Sequence, residues 1–163
     1  MDTLKKQFSI ILIALLVVGS VAATGILITA NSKEAGLHDV AFYAYHENKL
    51  SVAEHLYLSA LAENTEYQVA RYNLATLYFE EKRFDDAIAQ LAILEKQDPA
   101  NPHYHYDLAV NLVENIRQNS KGLDQFDRAL AEYREADKLS PGFGHVTENI
   151  AVLEKIKADY YIQ

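Results

Sequence analysis

The chain has 163 residues, half of them apolar, with six glycines, three prolines, no cysteine, and 15 basic against 23 acidic residues for a net charge of −8. That length allows one domain of modest core plus a terminal segment, and so few glycines and prolines argue against long irregular loops. The lack of cysteine excludes disulfides, thiolate metal sites and cysteine nucleophiles, and the acidic balance disfavours nucleic acid and anionic lipid as partners.

The first element is the opening stretch, MDTLKKQFSIILIALLVVGSVAATGILITA, which carries Lys5 and Lys6 and then no charge as far as Ala30. As a helix, Phe8 to Ala30 would span about 34 Å, enough to cross a bilayer core. Lys5 and Lys6 on one side, against Lys33 and Glu34 on the other, orient such a single transmembrane helix with its amino terminus in the cytoplasm. The rest of the chain is then extracytoplasmic, either periplasmic or extracellular. The alternative is a cleaved signal peptide, with Ile10 to Val18 as its apolar region and Val21 to Ala23 before the cleavage site. Apolar residues continue through Ile26, Leu27 and Ile28, beyond what that peptide needs. Both readings export the domain. Gly19 and Ala23 form a small-xxx-small pair that would let two membrane helices approach closely. Without residues 1–30 the domain holds 13 basic and 22 acidic residues, a net charge of −9.

From residue 31 the chain repeats itself. Ala41, Ala75 and Ala109 stand 34 residues apart, and Ala151 follows after 42. Leu50, Phe84 and Phe126 repeat with the spacings 34 and 42, as do Ala53, Ala87 and Ala129, and Tyr57, Leu91 and Tyr133. Four columns sharing one period and one insertion mark a repeat architecture. Within the second unit, Leu74, Ala75 and Tyr78 recur at helical spacing, a turn falls near Lys82 and Arg83, and Phe84, Ala87, Leu91 and Leu94 recur again. Asp98 and Pro99 close that unit. Asn101 and Pro102 open the next helix, as N-cap and first helical residue. Each unit is therefore a helix, a tight turn and an antiparallel helix.

This pattern is similar to the tetratricopeptide repeat, a helix-turn-helix unit of 34 residues. The resemblance implies an all-α helix-turn-helix solenoid, with three units at about 34–67, 68–101 and 102–143 and a capping helix at 143–160. Ala75 and Ala87 stand where the family's two helices cross closely, with Phe84 beside them. The second and third units keep Pro99 and Pro141 at the closing position. The first has Thr65 there, and Ala44 where a large residue is usual. Leu94 replaces a small residue that Ala60 and Ala136 keep. One helix pair cannot bury its own apolar stripe, so units stack around a continuous core. The last helix is expected to cover the end, with Glu154, Lys155 and Lys157 on its wetter side.

The resemblance also implies a function, because such arrays bind partner segments on a concave face lined by first helices. In this sequence that face would comprise His38, Phe42, Tyr45 and His46 in the first unit. Tyr72, Asn73, Thr76, Phe79 and Glu80 follow in the second, and Tyr106, Asp107, Val110 and Glu114 in the third. Tyr and Phe offer large contact area at low entropic cost, although some of these rings could equally be core. Chaperone-binding members grip a peptide's terminal carboxylate with Lys, Arg and Asn. The matching positions are His38, Phe42, Asn73, His103 and Asp107, and only Asn73 fits in part. An apolar or basic segment, or a folded partner surface, suits this face better. The 8-residue insertion in VENIRQNSKGLDQ, between the helices of the third unit, either lengthens both helices or makes a projecting loop around Ser120 to Gly122, read as a tolerated surface insertion or a docking knob.

Catalytic and metal chemistry find little support. The pairs Glu80-Glu81 and Asp85-Asp86 are sequence neighbours that diverge around a turn, whereas acid-base catalysis needs carboxylates converging on one cleft. His103 and His105 point to different sides of a helix, and no histidine pair has the i, i+4 spacing of a helical metal site. The expectation is a protein-binding module without cofactor, metal or small-molecule substrate. It would be held at the membrane as a scaffold subunit or assembly factor of an envelope complex. The alternatives are a soluble exported peptide binder, once a signal peptide is removed, and a self-assembling repeat protein.

Overall fold

The structure, a computed structural model, describes residues 32–119 and 123–161. The proposed membrane span with Gly19 and Ala23, and the insertion at Ser120 to Gly122, lie outside the described residues. Among those described there are seven α-helices and no strand. They are α1 (Lys33–His46), α2 (Leu50–Glu63), α3 (Gln68–Glu80), α4 (Phe84–Gln97), α5 (Pro102–Asn119), α6 (Leu123–Leu139) and α7 (Val146–Tyr161). None of these is long and apolar enough to cross a membrane. The chain divides into two compact units, one through Asn73 and one from Leu74, so that the boundary falls inside α3.

In the first unit, α1 packs on α2. Ser32 starts α1 as N-cap, its Oγ accepting from the Ala35 N–H at 3.4 Å. Glu34 lies in the first turn, where the helix dipole favours a carboxylate. Its pKa is lowered by backbone and Asn64 hydrogen bonds. Asn64 also ties the far end of α2 to α1, its Nδ2 donating to Glu34 Oε1 at 3.3 Å, and Lys33 pairs with Glu63 beside it. The buried interior is Leu37, Ala41, Ala44, Ala53, Tyr57, Ala60, Leu61 and Ala70. Small Ala44 is fully buried, so the helices meet closely where a larger residue is usual.

The second unit runs from the later half of α3 to α7, with α4 packing on α5, α5 on α6, and α6 on α7. Its interior includes Leu74, Ala75, Leu77, Phe84, Ala87, Leu91, Leu94, Leu108, Ala109, Leu112, Ala129, Tyr133 and Ala136. Fully burying one such leucine is worth roughly 1.5–3 kcal/mol. Asn101 caps α5, its Oδ1 accepting from the His103 N–H at 3.1 Å, one residue before Pro102 begins the helix. The alanine column ends where the array ends, for Ala151 on α7 is exposed. Val152 and Ile156 are also open to solvent at 56 % and 50 %, so α7 shows an apolar side as well as Glu154 and Lys157, which pair with Arg134 and Asp127.

The repeat is visible in the backbone as well as in the side chains. After α1, the Asn48 N–H bonds the Tyr45 carbonyl and the Lys49 N–H the Ala44 carbonyl. After α3, the Lys82 N–H bonds Phe79 and the Arg83 N–H bonds Tyr78, the same pattern 34 residues on. This is the Schellman closure, which requires a left-handed residue at C′. Asn48 and Lys82 supply it with φ of 58° and 60°. The unit ends repeat too: Asn64, Asp98 and Ser140 each donate to a carbonyl four residues back, at Ala60, Leu94 and Ala136.

Candidate protein-binding surface

Each candidate face residue has a definite place. In the first unit His38, Phe42 and His46 are spaced by four along α1, which stacks them on one side of the helix. The rings of Phe42 and His46 meet edge to face at 4.3 Å, and Tyr45 meets His46 at 5.3 Å. His38 lies 6.4 Å from Phe42 and within 6 Å of Tyr57 and Tyr67. Asn73 Nδ2 is 2.8 Å from His38 Nε2, and an amide nitrogen can only donate. Nε2 therefore accepts, which leaves the neutral ring's proton on Nδ1, 3.4 Å from Asp39 Oδ1. Phe42 is 43 % exposed, a large ring held in place by histidines and open on its outer side. Tyr57 behind it is core, and burial pushes its pKa up to about 12 against an opposing hydrogen bond from Asn73. Tyr67 is also raised, by burial and by the Asp39 and Glu34 carboxylates. Tyr72 is half-buried.

In the second unit the candidates divide. Thr76 and Glu80 are exposed, while Phe79 is half-buried with its ring 5.7 Å from Phe84. Tyr106 sits edge-on between Tyr133 at 5.6 Å and Phe143 at 5.5 Å. A side chain at Gly144, where φ is +56°, would bring its Cβ within 3.3 Å of the Tyr106 ring. Tyr106 thus packs the turn into α7, so its role is largely architectural. Burial raises Tyr133, which is itself core. Asp107, Val110 and Glu114 are half-buried further along α5, and Glu114 pairs with Arg117.

The carboxylate pairs around the α3–α4 turn are exposed. Arg83 stacks on Tyr78 at 4.2 Å, and binds Asp86 at 2.8 Å and Glu81 at 3.2 Å, so it neutralises members of both pairs.

Sequence reasoning passed over one cluster. His105 is buried, with Nδ1 2.8 Å from Glu132 Oε2 and Nε2 3.0 Å from the Pro99 carbonyl oxygen. Burial works against its charge. Hydrogen bonds to Glu132 and Pro99 and the charges of Glu132 and Glu95 outweigh burial and raise its pKa. The ligand atoms of Glu95, His105 and Glu132 all lie within 4.8 Å of one another. They come from three helices, so only tertiary packing assembles them. One signal was readable: Arg71 and His105 are polar residues 34 apart in an otherwise apolar pattern, and both are buried.

Residues 44–115 match the family model for the tetratricopeptide repeat. No curated protein matches the sequence. Among solved structures, the first repeat domain of Spaghetti (RPAP3) bound to the HSP90 peptide SRMEEVD is similar, with a TM-score of 0.66 and 16% identity over 82% of this chain and 99% of that one. MamA from Desulfovibrio magneticus RS-1 aligns with a TM-score of 0.66 and 14% identity over 79% of this chain and 68% of that one. YrrB, described as having an unusual peptide-binding site, aligns with a TM-score of 0.60 and 16% identity over 74% and 58% of the respective chains. Residues 44–115 thus resemble the tetratricopeptide repeat family, and the described helices share the fold of these solved structures.

Proposed function

We propose that this chain is a membrane-anchored interaction module, a scaffold subunit or assembly factor of an envelope complex. In this reading the α1 face grips an extended apolar or basic segment of a partner protein. The observation that carries it is the ring row His38, Phe42, His46 and Tyr45, in which Phe42 meets His46 edge to face, lies tilted beside His38 and is 43 % exposed. A fixed aromatic ring with one open side is the geometry of an interface anchor. The acidic balance favours a basic or apolar ligand over an acidic one. The bound peptide of the RPAP3 domain is acidic, and His38, Phe42, His103 and Asp107 offer none of the cations that would hold its carboxylates. The apolar run Phe8 to Ala30 supports an anchor that places the repeats on the outer membrane surface.

Purification of the full chain in mild detergent tests this proposal. A partner should co-purify with the wild type and be lost in Phe42→Ala. A strictly monomeric wild type that retains nothing would contradict it. Self-assembly is a second reading, favoured by exposed Val152 and Ile156 one turn apart on α7. In that case Val152→Glu would convert an oligomer of the full chain to monomer.

A further inference from the structure

Glu95, His105 and Glu132 do more than the fold requires of them. Arg71 and His105 hold equivalent places in the repeat, and each donates to the carbonyl six residues before it, Thr65 or Pro99. That structural task needs one N–H. Arg71 performs it without the same carboxylates, since Leu61 and Gln90 stand where the repeat register puts Glu95 and Glu132. Around His105 there are two carboxylates for one imidazole. Arg128 Nε lies 3.6 Å from Glu132 Oε1, the oxygen other than the one that meets His105.

The ring is also oriented as a metal ligand would be. A ligating histidine usually donates its other ring N–H to a carbonyl or carboxylate, which fixes tautomer and angle. Here Nε2 donates to Pro99, Nδ1 meets Glu132 Oε2, and Glu95 brings a ligand atom within 4.8 Å of those of both His105 and Glu132. Bonds of about 2.0–2.1 Å in a tetrahedral site set ligand atoms about 3.4 Å apart. The 2.8 Å between Nδ1 and Glu132 Oε2 must open slightly, and the half-buried Glu95 must swing in from within 4.8 Å. One nitrogen and two carboxylates suit Zn2+, whereas Ca2+ takes six to eight oxygen ligands and Mg2+ an octahedral shell mostly of water.

We propose that Glu95, His105 and Glu132 form a Zn2+ site with water as fourth ligand, pinning α4, α5 and α6 together. On binding, Zn2+ takes the place of the Nδ1 proton, which leaves to solvent, while the Nε2–H bond to Pro99 stays. The bound ion balances the two carboxylates.

Zn2+ titration of the EDTA-stripped full chain, by calorimetry at pH 7.5, tests this. The wild type should take up one ion per chain, and Mg2+ at the same concentration should give no response. Glu95→Gln should weaken Zn2+ binding at least tenfold, as should Glu132→Gln. Should Glu132→Gln lose its circular dichroism signal, Glu95→Gln at its half-exposed position carries the test. Wild-type affinity retained in a folded Glu95→Gln variant, or no Zn2+ uptake by the wild type, overturns the site. Uptake at surface histidines alone shows as affinity indifferent to Glu95→Gln, and overturns it equally.

Discussion

Arg71 and His105 are the same position in successive repeats, and they solve the same problem differently. Both are buried, at 7 % and 5 % exposure, and each caps an upstream carbonyl, at 2.5 Å from Thr65 and 3.0 Å from Pro99. Arg71 is a permanent cation that carries its donors wherever it is placed. His105 sets Nε2 against the Pro99 carbonyl and Nδ1 against Glu132; burial works against its charge, while hydrogen bonds to Glu132 and Pro99 and the charges of Glu132 and Glu95 raise its pKa. The repeat geometry demands a donor here but leaves its chemistry open. A site can therefore arise at one junction of an otherwise uniform scaffold without disturbing its register.

Breaking the His105 junction should have the largest effect. His105→Leu leaves the Pro99 carbonyl and a Glu132 carboxylate, 13 % exposed, without their buried partner. A loss of about 3 kcal/mol is expected in urea unfolding of the metal-stripped protein.

Alkali probes Tyr57 in the first unit. Tyr57 is 1 % exposed and its pKa stands near 12, above the ordinary value of 10. Between those values the unfolded chain has lost the phenol proton and the folded chain keeps it, so stability falls as pH rises. The loss amounts to about 3 kcal/mol once pH passes 12. Tyr57→Phe should flatten the part of the alkaline unfolding curve that begins near pH 10.

Removing the other donor should cost less. Arg71→Met strips one hydrogen bond from the Thr65 carbonyl while keeping apolar bulk, for a loss of about 2 kcal/mol. Equal losses for Arg71→Met and His105→Leu would mean that the carboxylates add nothing at the second junction. The smallest effect belongs to the turns. Lys82 is left-handed at a place where Asn48 occupies the equivalent turn more comfortably. Lys82→Gly should raise stability by about 1 kcal/mol, and Asn48→Gly by less, as read from melting temperatures.

The helix pairs could be read from the sequence because each rests on local signals. The alanine and aromatic columns, the break near Lys82 and the Asn101-Pro102 start all act within a few residues. The ring row was readable, since i, i+4 spacing puts His38, Phe42 and His46 on one side of α1. The same reasoning could not tell that Tyr106 is wedged between Tyr133 and Phe143, because that wedge depends on the turn at Gly144. It could not find Glu95 and Glu132 either, since they lie 37 residues apart and meet only through helix packing. A search confined to histidine pairs on one helix had no means of joining them. The exposed Val152 and Ile156 were hidden for a related reason, as periodicity shows an apolar stripe but not whether anything covers it.

The central claim, that the α1 ring row meets a partner protein, is tested most directly by site-specific photo-cross-linking in intact membranes. A photoreactive phenylalanine analogue in place of Phe42 is compared with one in place of exposed Ala62 on α2. The account predicts a discrete cross-linked protein from the Phe42 position that is missing from the Ala62 position. No product from the Phe42 position, or the same product from both, would contradict it.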